Sequence, residues 1–312
     1  MRIFRHIADL TPERFRQPVV TIGVFDGLHL GHRALLARAR ALADRLDGEL
    51  VVVTFHVHPR QLTEGRAPRM LTSIEHRVRL LGRLGVDTTV VLHFDDEMRT
   101  MPATRFVEDI LVARIGVQGA VLGYDSHFGH ERQGDHAFLK AMLEPRGIPV
   151  ERTDPIKLTD GEVVSSSAIR TAVANSDLDR AAELLGRPPA LFGVVVRGDG
   201  RGRTLGFATA NLDLQGELRP PRGVYAASVE IDGTVHPAAV NVGGRPTFYP
   251  EGEHADTVEV HLLDFAGQLY GLELEVVLLS RLRDEQKFDS VEELKAQIAA
   301  DVAAVRARHE SA

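Results

Sequence analysis

A chain of 312 residues, 44% apolar and 26% charged, is long enough for two domains of ordinary size, each with its own core, and its composition excludes disorder. It holds no cysteine, which excludes disulfides and cysteine zinc sites and fits a reducing compartment. A net charge of -7 argues against broad nucleic-acid binding, while a basic local pocket for a nucleotide is still allowed. The opening MRIFRHIADL lacks the long apolar core of a signal peptide, and no run of about 18 apolar residues follows. The expectation is a soluble cytoplasmic protein with no membrane or nucleic-acid partner.

The first strong pattern is VVTIGVFDGLHLGH, residues 19–32. Val19, Val20, Ile22 and Val24 suit a short strand packed on both faces. Gly23 and Gly27 bracket Asp26 in a turn where missing side chains let backbone approach a ligand. Leu35, Leu36, Ala39, Leu42 and Leu46 then recur at helical spacing over residues 33–46. His29 and His32 thus lie three apart near a helix N-terminus, where amide donors, the positive dipole end and two imidazoles suit an anion. Two other readings of the stretch are a plain βα turn with solvated histidines, and a four-histidine metal site completed by His56 and His58.

Residues 49–55 (ELVVVTF) read as a second buried parallel strand whose end, HVHPR, falls on the same sheet edge as HLGH. Thr72 and Glu75 make a capping box, and Ile74, Val78, Leu81 and Leu84 line one helix face before Gly85. A strand over 88–93, a helix over 103–115 and a strand over 118–122 continue the alternation, which predicts a doubly wound parallel sheet. GYDSHFGHERQGD (123–135) then reads either as a surface loop or as one closing over a ligand. VSSSAIR (164–170) places three hydroxyls and Arg170 at a helix start, beyond what serine capping requires, and reads as a phosphate cradle.

A short helix over 176–186 is stopped by Arg187, Pro188 and Pro189, and there the pattern changes. Strand-like runs at 191–196, 223–231, 235–242, 257–263 and 272–279, separated by Gly, Pro and Asp turns, predict a small antiparallel β-barrel. Ser290 and Glu293 cap a terminal helix with Val291, Leu294, Ile298, Val302 and Val305 as its buried stripe. The expected fold is α/β: a nucleotide-handling domain over 1–186 and a barrel domain with a C-terminal helix over 187–312.

In joint order and spacing, the strings GVFDGLHLGH, TFHVHPR, GYDSHFGHERQGD, VSSSAIR, GVVVRGDGRGRTLGFATANL, NVGGRPTF and VEVHLLDF resemble the bacterial bifunctional riboflavin kinase/FMN adenylyltransferase family, the FAD synthetases. HLGH is similar to the HxGH signature of the nucleotidyltransferase superfamily. The resemblance implies two reactions, ATP-dependent phosphorylation of riboflavin to FMN, then adenylylation of FMN to FAD with release of pyrophosphate. It implies ATP as co-substrate, Mg2+, and a monomer or weak homo-oligomer. In the first domain His29 and His32 would stabilise charge on the α-phosphate, and Gly23, Phe25, Asp26, Gly27 and Asp125 would hold the nucleotide. Ser165, Ser166 and Arg170 would grip the departing phosphates. His58, Arg60, Phe128 and, in the second domain, Arg245 are flavin-binding candidates. In the second domain Thr209 and Asn211 match residues that hold the metal and ATP phosphates, Glu259 matches the general base, and Gly198, Gly200 and Gly202 suit a phosphate loop. Ala208 stands where the family has a proline, and Ser126 where it often has an aromatic. These departures motivate two rival readings: a kinase making FMN only, and a flavin-binding protein without turnover.

Overall fold

The computed structural model describes residues 1–59, 68–198, 207, 209–244 and 256–310. They form two compact units, Met1–Met70 with Ile74–Ser166, and Leu71–Ser73 with Ser167–Ala312.

In the first unit, β1 (Arg2–Phe4), β2 (Val19–Ile22), β3 (Leu50–Phe55), β4 (Thr88–Leu92), β5 (Gly119–Leu122) and β6 (Val150–Arg152) make a sheet of order β1-β4-β3-β2-β5-β6. Every pairing is parallel. β2 and β3 are buried along their whole length, and their alternate residues feed two separate cores. Val20, Ile22, Val51 and Val53 pack with Phe106, Ile110 and Leu122. Val19, Leu50 and Val52 pack with Leu35, Leu36, Ala39 and Leu42 of α1 (Leu30–Arg45). The helices α2 (Ile74–Arg83), α3 (Asp96–Thr100), α4 (Ala103–Arg105) and α5 (His136–Leu143) fill the crossovers.

Two details of this unit differ from the sequence reading. The helix expected over 103–115 changes winding: α4 runs into a π-helix, Phe106–Ile115. Its apolar residues Phe106, Val107, Ile110, Leu111 and Ile115 recur every four or five positions, and the wider i→i+5 winding buries all five. The edge strands β1 and β6 were not expected, because three residues with one buried position each carry no readable alternation.

α6 (Ser166–Ala174) and α7 (Leu178–Leu185) precede the second unit's strands, with Asp177 accepting from the Arg180 amide as N-cap. β7 (Ala190–Val196), β8 (Ala210–Asp213), β9 (Gly223–Ile231), β10 (Thr234–Gly244), β11 (Asp256–Leu262) and β12 (Glu273–Arg283) close into an antiparallel barrel of order β10-β11-β8-β7-β12-β9. Val195, Leu212, Val229, Val240, Val242, Val258, Val260 and Val276 fill it. Within this unit the carboxylate of buried Glu217 accepts from the Ser73 amide (2.7 Å), the Ser73 hydroxyl (2.8 Å) and the Phe192 amide (2.9 Å).

The terminal helix α8 (Val291–Glu310) corrects its expected stripe. Ser290 accepts from the Glu293 amide at 3.2 Å as capping requires, but Val291 is 49% exposed. Burial begins later, at Val305 against Ala226 and Leu263 and at Asp301 against Arg283.

Candidate active sites

The first site is built on the turn between β2 and α1. The Gly23 amide donates to the Val53 carbonyl at 3.1 Å, and Thr54 donates to the Val24 carbonyl at 3.1 Å, so β3 holds the strand end at two successive residues. Beyond it Phe25, Gly27 and Leu28 all take positive φ (53°, 79° and 44°). For the two non-glycine residues this conformation costs about 1 to 3 kcal/mol each and persists only where neighbours over-determine it. Phe25, Asp26 and Leu28 are buried, and the Ser166 hydroxyl donates to the Asp26 carbonyl at 3.0 Å.

His29 is the N-cap of α1; its Nδ1 accepts from the His32 amide at 3.4 Å, which leaves the proton on Nε2 in the neutral ring. The His29 and His32 rings stack at 3.7 Å, and Phe25 lies 5.2 Å from His32. Nδ1 of His32 is buried and finds no hydrogen-bond partner among the described residues, an uncommon state for a polar atom. Burial, then His29, then Arg77 hold the His32 pKa well below its ordinary value.

The structure thus brings Gly23, Phe25, Asp26, Gly27, His29, His32 and Ser166 together, with Ser165 beside Ser166 in sequence, while Arg170 falls in the second unit. It does not form the four-histidine arrangement: His56 stacks on His93 at 4.0 Å, and no metal-holding group of three or more His, Cys, Asp or Glu exists among the described residues. His56 accepts from the Phe94 amide at 3.2 Å, and burial followed by His93 lowers its pKa. His58 is half-buried after β3, and Arg60 lies outside the described residues. Asp125 is exposed after β5, where its carbonyl bonds Nδ1 of His127 at 2.8 Å. Phe128 is 5% exposed, packed against Phe106 and Phe138. Ser126 closes its own turn, accepting from the Gly123 amide at 3.0 Å.

One residue at this site was missed. Arg77 of α2 is fully buried and donates from Nη1 to the Thr54 hydroxyl (3.2 Å) and the Phe55 carbonyl (2.9 Å). A signal was present: Arg77 sits at a stripe position, three after Ile74 and four before Leu81, where the helix should be apolar.

The second site lies on the barrel. Glu259 of β11 is directly opposite Asn211 of β8 on one side and Asn241 of β10 on the other. All three are half-buried, while their neighbours Ala210, Leu212, Val240, Val242, Val258 and Val260 point inward and are buried, so the polar row lies on the outer face. Thr209 is half-buried just before β8. The backbone at Gly198 approaches Asn211 closely: a Cβ there would stand 2.1 Å from Asn211 Nδ2, so a side chain at 198 would have to displace the Asn211 amide. Gly200, Gly202, Ala208 and Arg245 lie outside the described residues. The oxygen-bearing side chains of Thr209, Asn211 and Glu259, with Gly198 leaving room against Asn211, fit a hard, oxygen-preferring cation such as Mg2+.

A histidine-bearing turn on a parallel sheet, followed by a closed barrel carrying a carboxylate opposite an asparagine, defines a two-domain nucleotide-using transferase. Family models match in the same order, FAD synthetase over residues 11–168 and riboflavin kinase over residues 185–309. The bifunctional riboflavin kinase/FMN adenylyltransferase of Pseudomonas fluorescens is 44% identical over 98% of this chain and 97% of its own. That of Escherichia coli K12 is 38% identical over 96% of each. A crystal structure from Streptococcus pneumoniae described as a macrolide-efflux protein superposes with a TM-score of 0.82 at 33% identity, covering 97% of this chain and 98% of that one. The chain belongs to the bifunctional riboflavin kinase/FMN adenylyltransferase family.

Proposed function

We propose that the chain makes FAD in two steps, with residues 187–312 phosphorylating riboflavin and residues 1–186 adenylylating the FMN produced. The observation that carries the reading is the register of Glu259 against Asn211. An alcohol is a poor nucleophile at neutral pH, and a carboxylate in reach of its proton is the usual remedy. Glu259 takes the proton of the ribityl hydroxyl as its oxygen attacks the γ-phosphorus of ATP, and ADP leaves. Thr209 and Asn211 would hold Mg2+ and the phosphates, with Gly198 and, in sequence, Gly200 and Gly202 supplying loop amides. The ion would neutralise phosphate charge during transfer.

In the first unit a phosphate oxygen of FMN attacks the α-phosphorus of ATP and pyrophosphate departs. With Nδ1 of His29 accepting the capping bond, the ring proton sits on Nε2, and His29 serves the α-phosphate together with His32. The hydroxyl of Ser166 is occupied by Asp26, so Ser166 serves the departing phosphates through its amide at the start of α6, and Ser165 and Arg170 are assigned to the same phosphates from their place in the VSSSAIR string. Gly23, Phe25, Asp26 and Gly27 shape the nucleotide site and Asp125 approaches it. His58 and Arg60 are assigned to the FMN phosphate, Arg245 to riboflavin, and Phe128 to supporting the flavin wall from within the core. Because both steps draw on ATP we place the work in the cytoplasm, and a net charge of -7 supports small-molecule partners over nucleic acid. We take the working form to be a monomer or weak homo-oligomer.

A time course with riboflavin, ATP and Mg2+, resolving the flavins by chromatography, tests the reading. FMN should rise first and FAD follow. FMN alone would favour a kinase whose first domain is impaired, a reading motivated by Ser126 in place of an aromatic. No product would favour a flavin-binding protein without turnover.

A further inference from the structure

We propose that Arg77 is a positioning residue for adenylyl transfer, holding the β2–α1 turn through Thr54 so that His29 and His32 meet the α-phosphate in register. The inference rests on the adenylyltransferase reading of the first unit.

The geometry runs in one chain of contacts. Arg77 Nη1 donates to Thr54 Oγ1 at 3.2 Å and to the Phe55 carbonyl at 2.9 Å. Thr54 Oγ1 in turn donates to the Val24 carbonyl at 3.1 Å. A hydroxyl has one proton, and the guanidinium, which can only donate, settles its direction: Thr54 must point its proton at Val24. Val24 is the last residue before the run of positive φ at Phe25, Gly27 and Leu28. Anchoring its carbonyl fixes where that strained segment begins and therefore where the cap of α1 stands.

The same guanidinium supplies charge. Arginine stays protonated at any working pH, so Arg77 keeps a positive charge that a buried neutral imidazole does not carry. Phe25 from the turn and His29 from the helix cap lie against the His32 ring, and the field of Arg77 adds to burial and to His29 in disfavouring its protonation. The pair then acts through fixed N–H donors within a permanently positive surround, which suits an anion whose charge grows during reaction. A fully buried arginine is costly to place, and a purely apolar stripe residue would pack α2 with less penalty. Its presence is explained by what it holds.

The test uses the full chain, with urea unfolding followed by circular dichroism to show that the first unit of each variant is folded, since riboflavin kinase activity reports only on the second unit. Arg77→Met should lower kcat for FAD formation from FMN by about a hundredfold, the usual cost of misplacing a reacting group by about 1 Å, with KM for ATP and FMN little changed. Arg77→Lys should recover much of that loss by restoring the charge. Thr54→Val should lower kcat in the same direction while leaving Arg77 in place. By NMR, the His32 titration should move up in Arg77→Met and stay low in Arg77→Lys. Unchanged kcat in Arg77→Met would overturn the proposal, as would a change confined to KM, a parallel fall in kinase rate, or no recovery in Arg77→Lys. Wild-type protein that makes no FAD from FMN and ATP would instead overturn the adenylyltransferase reading itself.

Discussion

Glu259 and His29 make separable demands on the protein. Glu259→Gln keeps the shape of the β8–β11 pairing and removes the base, so riboflavin phosphorylation should fall by about 10²- to 10⁴-fold while FMN adenylylation persists. His29→Ala removes both the cap of α1 and the Nε2 donor, so FAD formation should collapse while FMN still accumulates. Steady-state assays started from riboflavin and from FMN check both, and parallel loss of the two activities in either folded variant would contradict the assignment. At this scale the sequence was informative where a residue's neighbours are its neighbours in sequence. HLGH places two imidazoles on one helix turn, and the structure stacks them at 3.7 Å. Arg77 was illegible as a site residue because its partners, Thr54 and Phe55, come from β3 and not from its own helix, so only its intrusion into an apolar stripe hinted at a role.

Among the elements, the terminal helix depends on one contact that hydrophobic patterning does not show. Arg283 of β12 meets Asp301 of α8 in a forked pair, Nε to Oδ1 at 2.9 Å and Nη2 to Oδ2 at 2.7 Å, with Gln297 donating to the same carboxylate at 2.9 Å. Both side chains are largely buried, so Asp301→Ala strands a guanidinium and should cost about 3 kcal/mol, while Val291→Ala at the exposed end should cost little. Urea unfolding followed by circular dichroism checks both, and equal midpoints would remove the pair from the account. The long strands were readable because β2 and β3 are uniformly apolar and the barrel strands are set apart by turn residues. β8 escaped because Ala210–Asp213 has only four residues, two of them polar. The π-winding of Phe106–Ile115 escaped because a spacing of four to five residues is close to that of an α-helix.

For the molecule as a whole, acid should be destabilising in a definable window. His32 and His56 are both held below the ordinary imidazole pKa of about 6.5 in the folded chain. The unfolded chain therefore binds more protons as pH falls through that value. Their contribution is present above about pH 6.5 and is lost as pH drops below it. Urea midpoints should thus fall between about pH 7.5 and 5.5, and His32→Gln should flatten that slope; a slope unchanged by His32→Gln would show that the buried imidazole does not govern it. The change from β-α alternation to closely spaced strands after the Pro188–Pro189 pair makes two architectures legible in the sequence itself.

The way the sheet of the first unit ends also bears on how the protein behaves at high concentration. Its two margins, β1 and β6, are three residues long, and they carry Arg2 paired with Glu49, and Glu151 paired with Arg38 and Arg45. The barrel closes on itself and has no margin. Among the described residues, a foreign strand seeking unpaired amides and carbonyls along these sheets meets brief, charged borders. The twelve strands among the described residues are thus arranged to offer little template for the cross-chain pairing that leads to aggregation.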